Sequence, residues 1–89
     1  MPRISEKKRE KISEQILHYL FSKFPKPLFT SDIAVEIARD EEFIKTLLIE
    51  LEKKGYLLKI TKNPEGNEYK RRLRWRLSNK TQETYSNLQ

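Results

Sequence analysis

FTSDIAVEIARDEEFIKTLLIELEKKGYL, residues 29–57, reads as two helices, the turn between them and the start of a strand. Thr30 or Ser31 is expected to cap the first of these helices, with Asp32 in its first turn. Ile33, Ala34, Ile37 and Ala38 recur at helical spacing and form its apolar face. Arg39 and Asp40 break the pattern, and Asp40 caps a second run opened by Glu41 and Glu42. The core face of that run is Phe43, Ile44, Leu47, Leu48 and Leu51. Lys53 and Lys54 suit the negative end of its dipole, and Gly55 supplies a left-handed stop. Beyond Gly55 the period changes to two: Tyr56, Leu58 and Ile60 alternate with Leu57, Lys59 and Thr61, as in a strand.

On the N-terminal side, Ser5 is a helix cap followed by an acid, Glu6. Ile12, Ile16, Leu20 and Phe24 then recur every fourth residue, with Leu17, Tyr19 and Phe21 beside them. This predicts a first helix of about 18 residues, closed by Pro25 and Pro27, since proline cannot continue the ladder. Leu28 and Phe29 form a short extended piece. On the C-terminal side, NPEGN at 63–67 predicts a turn, and EYKRRLRWRL at 68–77 the returning strand of a hairpin. Ser78 opens a short, polar final helix. The fold class is therefore α+β, mainly α, in one domain over residues 1–89: a basic arm at 1–10, a core at 11–77 and a tail at 78–89.

This element order and the residues at 29–57 resemble the winged helix-turn-helix superfamily over about residues 10–80. In that family a helix ending Leu-x-x-x-Gly-apolar-apolar leads into the wing, and here Leu51, Gly55, Tyr56 and Leu57 stand in those places. RWRLSNKTQE at 74–83 is similar to the stretch where the wing strands of bacterial and archaeal regulators end and a last helix begins. The resemblance implies three helices plus a β-hairpin wing, and DNA contact through the third helix and the wing. A minority of the superfamily uses the same fold to bind protein or RNA.

The charge distribution points the same way. The net charge is +6, with residues 1–11 at +3, residues 31–54 at −3 and residues 55–77 at +5. Basic flanks around an acidic middle suggest a polyanionic partner, most often nucleic acid, and with the resemblance the expected partner is double-stranded DNA. There is no cysteine, one histidine (His18) and only two glycines, which leaves no thiol nucleophile, no cysteine or histidine metal site and no phosphate-cradling loop. An enzyme is not expected, nor a cofactor. With no apolar run near the roughly 20 residues of a membrane span, the chain is expected to be cytoplasmic and nucleoid-associated.

The candidate DNA-binding residues fall in three groups. In the strand at 68–77, Leu73, Trp75 and Leu77 share one face. Lys70, Arg72, Arg74 and Arg76 share the other, with Arg71 near the wing tip and Lys62 at the wing's start. Arginine suits bidentate phosphate contact, and residues 69–77 contain no acid, so phosphate binding outweighs a merely protective charged edge. On the third helix, Lys45, Thr46, Ile49 and Lys53 lie opposite the core face, with Ile49 exposed for a thymine methyl. Glu41, Glu42, Glu50 and Glu52 oppose that use, Glu50 most of all, and an acidic third helix with Ile49 exposed keeps open an alternative, a non-catalytic adaptor contacting protein or RNA. Thr30 and Ser31 could hold a phosphate at a helix N-terminus, and Arg3, Lys7, Lys8, Arg9 and Lys11 could track the backbone.

The apolar arc of the first helix, from Tyr19 to Phe21, spans about 200°, wider than the ~100° one core requires. One end should therefore lie outside the monomer core, covered by a second copy or by the tail residues Tyr85 and Leu88. A homodimer through this helix is the expectation, because the tail is polar.

Overall fold

Ser5 has extended backbone, and its hydroxyl accepts a hydrogen bond from the Lys8 N–H at 3.3 Å, as a helix cap does. From that cap the computed structural model, which describes residues 5–61 and 73–87, runs α1 (Glu6–Lys23), β1 (Leu28–Phe29), α2 (Thr30–Ile37) and α3 (Glu41–Lys53). β2 (Leu57–Ile60), β3 (Arg74–Leu77) and α4 (Asn79–Asn87) follow. The expected turn at 63–67 and the first part of the basic strand lie outside the described residues, as does the start of the N-terminal arm. Residues 6–10 of that arm belong to α1.

Local chemistry explains most of the boundaries. Asp40 accepts from the Phe43 N–H at 3.2 Å and caps α3. Gly55 stands at φ +85°, a left-handed conformation that glycine takes without steric cost, and so ends α3. Two expectations fail at α2. Neither Thr30 nor Ser31 caps it: Phe29 occupies the cap position and no side chain bonds there. Ala38 does not extend the apolar face but ends the helix in the left-handed region, φ 61° and ψ 46°, exposed to solvent. The Arg39 N–H closes that end on the Ala34 carbonyl at 3.1 Å.

The sheet also differs from the expected two-stranded hairpin. It has three antiparallel strands in the order β1-β3-β2, with β3 in the middle. Leu28 pairs with Trp75 and Phe29 with Arg74 on one side; Leu57 pairs with Leu77 and Leu58 with Arg76 on the other. A two-residue strand carries too little periodicity to announce its partner, and burial of Leu28 settles the pairing.

The core gathers Ile12, Ile16 and Leu20 of α1, Ile33 of α2 and Ile44, Leu47, Leu48 and Leu51 of α3 around Trp75, which is fully buried. The Trp75 indole N–H donates to Thr30 Oγ1 at 2.8 Å, and the Thr30 N–H donates to the Leu73 carbonyl at 3.3 Å. Thr30 thus fastens the start of α2 to β3, which is why its hydroxyl does not cap the helix. α4 forms as expected, with Ser78 Oγ accepting from the Thr81 N–H at 3.2 Å. Its Tyr85 ring lies 5.5 Å from Phe21, stacked at 28°. The expectation that one end of the wide arc of α1 lies outside the monomer core is not met: Tyr19 and Phe21 both pack partly against it, and the tail adds cover at Phe21.

Candidate nucleic-acid interface

α3 places its side chains by helical geometry alone. At 100° per residue, Glu42, Thr46, Ile49 and Lys53 fall opposite the buried row Ile44, Leu47, Leu48 and Leu51, with Lys45 alongside. Lys45, Thr46 and Lys53 are exposed. The Thr46 hydroxyl donates to the Glu42 carbonyl at 3.0 Å and keeps its lone pairs for an incoming donor. Ile49 is not the exposed residue expected: it is half-buried and packs against the core.

Of the acids of α3, Glu42 stands on this face, Glu41 at its start and Glu50 beside it. Glu41 and Glu42 occupy the first turn, where negative charge stabilises the helix dipole. Glu50 sits on the α1 side, its Oε1 accepting from Arg9 Nη2 at 2.7 Å. The Arg9 guanidinium also stands 5.9 Å over the Phe43 ring. This partnership joins residues 41 positions apart, and no local pattern in the sequence announces it.

β3 holds the described part of the basic strand. Trp75 and Leu77 face the core, as the alternation predicts. Arg74 and Arg76 lie on the other face but do not project freely into solvent. Both are half-buried, Arg74 with its guanidinium 5.9 Å over the Phe29 ring and Arg76 5.6 Å over Phe24. Arg76 Nη1 also donates to the Leu77 carbonyl at 3.0 Å and to Asn79 Oδ1 at 3.4 Å. The cause is the central position of β3, which gives these side chains neighbours on both sides. Lys62, Lys70, Arg71 and Arg72 lie outside the described residues.

Thr30 is not available to a phosphate, since its hydroxyl and its N–H are both engaged inward. Ser31 is half-buried beside the turn, next to Val35, which is 81% exposed. A separate groove of about 510 Å³ runs between α1 and α2 past His18, Tyr19, Glu36 and Ile37. There burial, then the negative charges of Glu36 and Asp32, push the Tyr19 phenol above its ordinary pKa. Burial, then Glu14, does the same to Tyr85. Among the described residues no cluster of three or more acids and histidines could hold a metal ion, and no helix is long and apolar enough to cross a membrane.

No protein-family model and no curated protein sequence matches the chain. Solved structures do. A MepR mutant from a multidrug-resistant Staphylococcus aureus clinical isolate superposes with a TM-score of 0.69 at 21% identity, covering 86% of this chain and 53% of that one. The S. aureus MepR–DNA complex gives 0.68 at 22%, covering 86% and 61%. The PcaV transcriptional regulator of Streptomyces coelicolor, with its natural ligand, gives 0.65 at 20%, covering 85% and 50%. The chain thus spans between half and about three-fifths of the length of these structures. At such identities the likeness establishes the fold, a winged helix-turn-helix.

Proposed function

We propose that this winged-helix chain binds double-stranded DNA as a transcriptional regulator or chromatin-associated factor, with α3 at the major groove and the basic wing strand on backbone phosphates. The observation that carries the reading is the outward face of α3. Lys45, Thr46 and Lys53 are exposed there beside Glu42, while Glu50, the acid that weighed most against the reading, is held by Arg9. Lysine can meet phosphate or guanine, and threonine either base type. A chain of the same fold is known bound to DNA, in the S. aureus MepR complex.

Within the proposed interface, Lys45, Thr46 and Lys53 make the groove contacts and Lys62, Lys70, Arg71 and Arg72 the phosphate contacts of the wing. Arg74 and Arg76 add positive field from the outer face of the sheet, Ile49 offers its exposed edge, and Ser31 a contact near the turn. Thr30 leaves the set. A homodimer belongs to the same proposal, through the Tyr19 side of α1, because α4 covers only the Phe21 end. The working compartment proposed is the cytoplasm, on the nucleoid.

The test is a titration of the purified chain against random duplex DNA, single strands and structured RNA over a range of salt. Duplex binding that weakens steeply as salt rises is the expected result. Absence of binding to any nucleic acid at low salt would overturn the reading in favour of the protein-binding adaptor.

A further inference from the structure

Glu42 stands near the centre of the outward arc of α3 and Glu50 at its rim, and for Glu50 the structure supplies a partner from another element. On the helical wheel Glu50 lies about 70° from the centre of the outward arc of α3, next to Thr46 and Lys53. Arg9, near the start of α1, reaches it at 2.7 Å. The Arg9 side chain is 27% exposed and that of Glu50 49%. The Phe43 ring beneath the guanidinium is half-buried against the core, so it gives Arg9 a fixed seat on the surface of α3.

We propose that Arg9 is a positioning residue for the nucleic-acid interface: it neutralises Glu50 at the rim of α3 that borders the groove, so that α1 and α3 act as one binding element. The proposal rests on the DNA-binding reading above. An exposed ion pair contributes little to folding, so removing this one should leave the fold intact. Without Arg9, an uncompensated carboxylate would stand within about one Debye length, ~8–10 Å, of the nearest phosphates. At the dielectric of water and at salt low enough to leave them unscreened, one or two such repulsions amount to about a two- to five-fold loss of affinity.

Fluorescence anisotropy on one duplex, at several salt concentrations, decides it with R9Q, E50Q, the R9Q/E50Q double variant and R9K. R9Q should bind about two- to five-fold more weakly at low salt, with the loss shrinking as salt rises. The double variant should recover wild-type affinity or exceed it, R9K should bind as wild type does, and all four should melt close to wild type. A loss in R9Q that E50Q does not rescue, with the slope of log K against log salt flatter by about 0.9, would make Arg9 a phosphate ligand itself and overturn the proposal. Unchanged affinity in R9Q would overturn it as well. Wild-type protein without salt-dependent duplex binding would overturn the DNA reading and this proposal together, a result visible before any substitution is made.

Discussion

Thr30→Val tests how the helix-turn-helix is fastened to the sheet. Thr30 is 8% exposed and Trp75 fully buried, so the 2.8 Å bond from the indole N–H to Thr30 Oγ1 has no water to replace it. Valine matches threonine in shape but offers no acceptor, and the indole donor would be left buried and unsatisfied. That costs about 1–3 kcal/mol, net of the hydrogen bond's own modest contribution. For a domain of this size each kcal/mol moves the melting temperature by roughly 4–8 °C, so the variant should melt at least several degrees lower. Thr30→Ser keeps the acceptor and loses one methyl, worth ~0.8 kcal/mol, and should fall between. Trp75 is the only tryptophan, so its fluorescence in urea reports unfolding at this contact directly. Adding Trp75→Phe, with unfolding followed by circular dichroism because the fluorophore is lost, completes a double-mutant cycle whose coupling should be about 0.5–3 kcal/mol. A Thr30→Val protein as stable as wild type, or a coupling near zero, would refute the reasoning. Because both polar groups of Thr30 point inward, duplex affinity measured well below the melting temperature should not change.

Two other predictions follow from backbone and titration. Ala38→Gly relieves a left-handed residue that carries a Cβ, and should stabilise the fold by about 0.5–1 kcal/mol despite the added freedom of the unfolded chain; Ala38→Val should destabilise it. A lower melting temperature for the glycine variant would contradict the assignment. The Tyr85 phenol has a raised pKa in the folded state, so its contribution to stability is complete below pH ~10 and is lost as pH rises above that value. Tyr85→Phe, which keeps the ring on Phe21, should therefore lose less stability than wild type between neutral and strongly alkaline pH; identical losses would show that Tyr85 is not the group responsible.

The sequence displays the helices because their signals are local. Ser5, Asp40, Gly55 and the two prolines at 25 and 27 act within a few residues of themselves, and the apolar rows of α1 and α3 recur at one period. What stayed hidden depends on residues that meet only after folding. Thr30 has the chemistry of a cap, yet its hydroxyl faces an indole 45 positions away. Alternation puts Arg74 and Arg76 on the outer face of β3, but nothing in it shows that Phe29 and Phe24 lie beneath them. Ala38 carries no glycine-like mark of its left-handed backbone, and the opposing acid on α3 reads differently once Arg9 is beside it.

The central claim is that the outward face of α3 meets duplex DNA, and the most direct measurement is the salt dependence of a Lys45→Gln/Lys53→Gln variant. Both lysines are exposed and distant from the core, so the variant should fold normally. If each neutralises one phosphate, the slope of log K against log salt should flatten by about 1.8, at 0.9 per contact, with affinity falling most at low salt. A slope and an affinity equal to those of wild type would mean that α3 does not face the DNA.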